Sequence, residues 1–329
     1  MERDVDIVES LVRSGGRRVE PPEDAYRQVF AGAHDAFRHR SARQQERTWL
    51  LWAGAAAMLV LAFALIVRWT PPVTQQEELA RVARAVGEVE IATGDVWRPL
   101  ADSRVQLTPG IKLRTLADGR AALELAGGES LRLAGGTEVM LDAPGRFYLQ
   151  GGTIYIDSGR RPPTKHVEIV TPAGTARDLG TQFELAVFGA ALRLRVREGM
   201  VSIDHGGQSM IGKAGEQFEI DGLGGVSRAL IAPHDSAWQW AEAIAPMPDM
   251  DGMPASALIS WVARETGRRL AYESPLVEQR AAAVILHGNI RNLPPMAALE
   301  AMLATTDLAV EVRGNTMVIR SRNIEPMRP

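Results

Sequence analysis

Cysteine is absent from the 329-residue sequence. That excludes disulfides, thiolate metal sites, a cysteine nucleophile and a lipid anchor on cysteine. Histidine is scarce, with six in all. His34, His39, His166, His205, His234 and His287 show none of the spacings that hold a metal ion. Aromatics are 5% of the chain, so its cores are built mostly from Leu, Val, Ile and Ala. Neither sign of charge dominates: the formal net charge is −3. A dedicated nucleic-acid binder carries a basic surplus, so nucleic acid is not an expected partner. HExxH, GxSxG and phosphate-loop patterns are all missing. Asp157 and Asp204 follow apolar strand-like runs, but neither has an evident partner in the sequence. No conventional active site, metal or cofactor is expected.

Hydrophobic residues make up 46% and charged residues 23%, as in an ordinary folded protein. One stretch departs from that average. Residues 48–67, TWLLWAGAAAMLVLAFALIV, contain no charge and suffice for one helix across about 30 Å of hydrocarbon. Trp49 and Trp52 stand at one end and Trp69 just past the other, as in an interfacial aromatic belt. Arg38, Arg40, Arg43 and Arg47 precede the run; after Arg68 the next basic residue is Arg81. The positive-inside rule then puts residues 1–47 in the cytoplasm and the rest outside. A buried core helix and a cleaved signal are the alternatives. A 47-residue leader is too long for the latter.

The pattern predicts seven segments. Residues 1–47 form a cytoplasmic helical segment with an apolar stripe of Ala25, Val29, Ala33 and Phe37, fit for docking a partner. A transmembrane helix (48–68) and a polar linker (69–84) follow. Residues 85–230 alternate apolar and polar in short runs broken by glycine: Ala121, Leu123 and Leu125; Ile154 and Ile156; Leu192, Leu194 and Val196. This is the signature of an antiparallel sandwich, roll or barrel. A connector (231–248) leads to a small α+β region (249–322) and a tail (323–329). In the α+β region we expect a helix over 254–266 and another opened by Pro294-Pro295, with strands over 269–273, 283–288, 308–312 and 316–320.

Several motifs in the β region occur in a particular order: GIKLRT (110–115), GGESLRL (127–133), GGTIYID (151–157), TPAGTARDLGTQFELAV (171–187), LRLRVREGMVSI (192–203) and AGEQF (214–218). This succession resembles the FecR domain of periplasmic anti-sigma and signal-transducing regulators. Residues 249–320 are similar to the short secretin/TonB N-terminal (STN) fold, which recurs at the C-terminus of such regulators. The resemblance implies a multidomain chain: one transmembrane helix, an all-β FecR roll or sandwich and an STN-like α+β domain. It implies an inner-membrane location with the C-terminus in the periplasm. It also implies a cytoplasmic extracytoplasmic-function sigma factor as inner partner, and the signalling domain of a TonB-dependent receptor or another envelope protein as outer partner. The family's sigma-binding segment usually carries tryptophan, and residues 1–47 contain none. Some members cut themselves at a Gly-Thr bond by an N–O acyl shift; the matching bond here joins Gly180 and Thr181. Asp178 or Glu184 could polarise water there. The plainer reading is a special turn at Gly180 with a strand beginning at Thr181.

Two further groups stand out. Arg193, Arg195 and Arg197 project from one face of a strand, either to meet an acidic partner or an anionic glycan or, more simply, as a solvated face that discourages edge pairing. Trp238 and Trp240 fit a partner anchor or interdomain packing. The leading functional expectation is a single-pass regulator relaying a periplasmic signal to a sigma factor. The alternative is an envelope-anchored binding or assembly protein that contacts polysaccharide, peptidoglycan or a secretin and has no sigma factor.

Overall fold

A computed structural model of the chain describes residues 77–100, 105–159, 166–178, 180–288 and 293–322, with Asp24 and Met58. Those two apart, the expected cytoplasmic segment and span lie outside the described residues, and so do Val29, Phe37, Arg47, Trp49, Trp52, Trp69 and the tail. Among the described residues no helix is long and apolar enough to cross a membrane. The described structure, again apart from Asp24 and Met58, falls in one compact unit, Gln76–Pro329.

The β region comprises β1 (Ala80–Val86), β2 (Val89–Thr93), β3 (Val96–Pro99), β4 (Gln106–Leu107), β5 (Ile111–Thr115), β6 (Arg120–Leu125), β7 (Ser130–Leu133), β8 (Glu138–Ala143), β9 (Arg146–Asp157), β10 (Glu168–Thr171), β11 (Gly174–Asp178), β12 (Gln182–Phe188), β13 (Ala191–Glu198), β14 (Met200–His205), β15 (Gln208–Lys213), β16 (Glu216–Ile220) and β17 (Val226–Leu230). The first strand starts inside the segment expected to be linker. Ala80 and Val82 are buried while Arg81 is exposed, so the alternating pattern already begins there.

Two sheets share β9. One runs β17-β16-β13-β12-β9-β7-β6-β1-β4. The other runs β3-β2-β5-β8-β9-β10-β11-β14-β15, with β9 and β10 parallel. The first half of β9 pairs with β8 and β10, and the second half pairs with β7 and β12. The change of sheet falls at Gly151-Gly152. Gly152 has φ +93°, and a Cβ there would lie 2.5 Å from the Thr137 Cα, so only glycine turns this corner. Between the sheets lies one continuous core, including Leu113, Leu123, Leu131, Ile154, Phe183 and Leu194. Each such side chain contributes about 1.5–3 kcal/mol by leaving water.

The outer face of the first sheet is covered. A 3₁₀ turn (Ser236–Trp238), capped by Asp235 accepting from the Ala237 amide, leads into α1 (Gln239–Ala243). There follow β18 (Met253–Pro254), α2 (Ala255–Glu265), β19 (Arg269–Tyr272), α3 (Pro275–Ala283), β20 (Ile285–Leu286), α4 (Pro295–Leu303), β21 (Leu308–Arg313) and β22 (Thr316–Ser321). A sheet of order β19-β22-β21 and a β18-β20 pair surround a core of Leu258, Ile259, Val262, Leu299, Leu303 and Ile319. The α+β elements agree with the sequence pattern except at three places, the first being the two-residue strand β18, which holds Pro254 where the pattern starts a helix. The strand expected over 283–288 shrinks to β20. Helix α3 was not expected, because Val277 and Ala281 are its only buried residues and no apolar stripe marks it.

Candidate functional site

The turn between β11 and β12 carries Gly180 and Thr181. Asp178 ends β11 fully buried. Its Oδ1 accepts the Gly180 amide at 2.8 Å and also the Thr181 hydroxyl. Its Oδ2 accepts the Ser158 hydroxyl. A carboxylate that accepts from the residues two and three positions on is an Asx turn, and here it lies in the interior. The Ser158 amide donates to the Thr181 carbonyl at 3.1 Å. His166 Nδ1 lies 3.0 Å from the Asp178 carbonyl, so the tautomer with Nδ1–H donates to it. Thr181 is 1% exposed and Gly180 has φ +89°. Gly199, at φ +81°, backs the peptide: a Cβ there would lie 2.6 Å from the Gly180 oxygen. The turn thus sets a hydroxyl, a buried carboxylate and a peptide with an unhindered glycine carbonyl side by side.

Next to the turn, Asp157 is a hub. Its Oδ2 accepts from Gln182 Nε2 at 2.8 Å; its Oδ1 accepts the Gly159 amide at 2.8 Å and Arg264 Nη2 at 2.5 Å. Burial alone would raise the Asp157 pKa. The hydrogen bond and charge of Arg264, with Arg132 and Gln182, outweigh burial and hold the carboxyl below its ordinary value. The cause on Arg264 mirrors this: burial would lower it, yet Asp157 and Glu198 raise it.

A second cluster joins the first sheet to α1 and α2. Arg132 on β7 forks onto Glu265 at the end of α2, Nη1 to Oε2 and Nη2 to Oε1, both 2.8 Å, and Nη1 also reaches the Ala241 carbonyl at 2.9 Å. Arg197 on β13 donates to the Pro233 carbonyl (2.6 Å), the Glu265 carbonyl (2.7 Å) and Glu242 Oε1 (2.7 Å). Trp238 is fully buried, edge-on to Tyr155 at 6.0 Å, and donates to the Ala232 carbonyl at 2.9 Å. Burial raises the Tyr155 phenol above its ordinary pKa, so it stays neutral.

Residues 111–202 match the family described as FecR protein. The β region carries a FecR domain. No curated protein matches the chain by sequence. Two solved structures resemble it, both of a candidate anti-sigma factor from Parabacteroides distasonis ATCC 8503. One, at 1.65 Å, has 16% identity, covers 63% of this chain and 97% of its own, and has a TM-score of 0.36. The other, at 2.50 Å, has 16% identity, covers 64% of this chain and 98% of its own, and has a TM-score of 0.34. A likeness of that degree carries no argument about function.

The matched residues hold Gly180, Thr181 and the three arginines singled out in the sequence. Arg193, Arg195 and Arg197 do share one face of β13, with Leu192, Leu194 and Val196 turned to the core. The face is not a solvated one. Glu184, 1% exposed on the neighbouring β12, accepts from Arg193 (3.3 Å) and Arg195 (3.1 Å), and Arg197 is buried under α1 and α2. A strand-by-strand reading could not see what covers the sheet. Trp240 donates to the other Glu184 oxygen at 2.8 Å, so Trp238 and Trp240 both pack the connector onto the domain. Glu184 is therefore engaged by arginines and Trp240, and Asp178 is the acid at the Thr181 hydroxyl. Asp157 is no isolated surface acid, and Asp204 pairs with Arg177. Ser158, Gly199, Gln182, Arg132, Arg264 and Glu265 were missed. A signal existed for the turn alone, in the Asp-x-Gly-Thr spacing that favours an Asx turn.

Proposed function

We propose that the chain is a FecR-type regulator. In this reading a helix over 48–68 anchors it in the bacterial inner membrane, with residues 1–47 in the cytoplasm. It relays a periplasmic signal, supplied by a TonB-dependent receptor, to an extracytoplasmic-function sigma factor that docks on the stripe containing Val29 and Phe37. The observation that carries this is the FecR domain at 111–202, standing downstream of a charge-free run preceded by four arginines. The C-terminal α+β module, read as STN-like, supplies sheet edges for an envelope partner by strand addition. A lone helix passes conformational change poorly, so release by proteolysis or altered association transmits the signal. The test is a reporter for the sigma factor's regulon in cells carrying the chain with residues 1–47 deleted. Loss of regulated output with the outer part still folded supports the reading. Unchanged regulation contradicts it.

The same site supports self-processing between Gly180 and Thr181. The Thr181 Oγ attacks the Gly180 carbonyl carbon as Asp178 takes the hydroxyl proton. The carbon–nitrogen bond then breaks, the proton passes to the Thr181 nitrogen, and Gly180 is left esterified to the Thr181 oxygen. Water cleaves the ester, giving a Gly180 carboxylate and a free Thr181 hydroxyl and amine. What supports this is the Asp178 carboxylate already accepting the Thr181 hydroxyl in a buried turn at positive φ. Thr181→Ala should leave the chain whole where the wild type gives two fragments on intact-mass analysis. A wild type that stays whole contradicts this activity.

A further inference from the structure

Gln182, the residue after Thr181, opens β12 between two strands. In register it faces Asp157 of β9 on one side and Glu198 of β13 on the other. Arg264, from helix α2 of the C-terminal module, grips both. Its Nη2 lies 2.5 Å from Asp157 Oδ1 and its Nη1 lies 2.7 Å from Glu198 Oε2. Asp157 holds the Gln182 side chain, and Glu198 precedes Gly199, whose bare Cα backs the peptide to be cut. One guanidinium from outside the FecR domain therefore pins both cross-strand neighbours of Gln182, the second residue after the scissile bond. The fork is planar and rigid, so it fixes the spacing of the two carboxylates it bridges. It sits beside an open cleft of about 300 Å³ lined by Gln182, Arg197, Glu198 and Arg264.

We propose that Arg264 is a positioning residue for self-processing, so that the docked C-terminal module sets the rate at which the bond between Gly180 and Thr181 is cut. The inference rests on the self-processing reading. Productive attack requires the hydroxyl and carbonyl to be held near their reacting geometry, and displacements of about 1 Å cost about 100-fold in rate. With α2 docked, the start of β12 is fixed on both sides. A partner that lifts the module off the sheet withdraws Arg264, loosens Gln182 and slows the cut. Processing is thereby tied to whether the outer module is occupied.

The test is a pulse-chase of the full chain made in a cell-free system with inner-membrane vesicles, with fragments followed by gel and mass. Wild type, Thr181→Ala, Arg264→Gln, Arg264→Lys and Glu198→Gln are compared, and limited proteolysis checks the fold of each. We expect Arg264→Gln to slow fragment formation at least tenfold, Arg264→Lys to recover part of the rate, and Glu198→Gln to slow it severalfold. Should Arg264→Gln fail the fold check, Glu198→Gln decides, since Glu198 is exposed and its loss strands no buried acid. Cutting at the wild-type rate in a folded Arg264→Gln, or in Glu198→Gln where that decides, overturns the positioning role and leaves self-processing standing. An uncut wild type overturns both.

Discussion

Arg132 and Glu265 stand 133 positions apart in the chain and meet through two parallel 2.8 Å hydrogen bonds, both side chains buried. Burial works against the Arg132 charge, but the Glu265 charge and hydrogen bonds outweigh it and raise its pKa. Such a pair locks geometry more than it adds stability. Removing one partner leaves a buried charge alone and costs about 3–5 kcal/mol. Glu265→Ala should therefore lower the chemical-denaturation midpoint sharply. The double variant Arg132→Met with Glu265→Leu should fall much closer to wild type, because well-packed apolar pairs replace buried ion pairs at little cost.

Trp238 closes the same junction. Trp238→Ala removes a fully buried indole packed on Tyr155 and on Arg197, whose guanidinium lies 5.3 Å from the ring centre. The expected loss is about 3–5 kcal/mol. Hydrogen exchange should rise first along α1 and α2 rather than in the core between the sheets, which Trp238 does not touch.

Acid should release Asp157 late. Its folded pKa lies below its ordinary 3.8, so its contribution is fully present above that value and is lost as pH falls through the folded pKa. The stability gap between wild type and Asp157→Asn should be constant from about pH 5 to 8 and close below the ordinary aspartate range. Denaturant titrations at several pH values read this directly. A gap that shrinks near neutrality would contradict the assignment.

Gly199→Ala tests the backing of the turn. The new Cβ would lie 2.5 Å from Thr181 Cγ2 and 2.6 Å from the Gly180 oxygen, at a φ of +81°. The strain should cost about 1–3 kcal/mol, seen as a lower midpoint with an unchanged denaturant slope. Asp178→Asn should keep the turn's amide contact and remove the proton acceptor, leaving a folded, uncut chain.

The sheet pattern was legible because alternation in β6 and β13 follows one face packed in the core, as at Leu192, Leu194 and Val196. The outer face was not, because its cover comes from residues 232–265 and no local rule links Arg132 to Glu265 or Arg197 to Glu242. Polar residues facing outward read as solvated until something packs on them. The short helix α3 escaped for the converse reason: Leu276 is exposed and the segment PLVEQRAAA carries too few apolar contacts to mark a period. At the site, the dipeptide at 180–181 was named, but three other Gly-Thr pairs occur in the chain. What sets this one apart is Asp178, Ser158 and Gly199 converging from three strand ends.

The proposed function couples an outer FecR domain to an inner sigma factor. Its most direct test is affinity purification of the tagged full chain from detergent-solubilised bacterial inner membrane, with bound proteins identified by mass spectrometry. The expected result is recovery of an extracytoplasmic-function sigma factor, lost when Val29 and Phe37 are both changed to Asp. A membrane-embedded chain that brings down no sigma factor, and behaves identically with the double change, would contradict it.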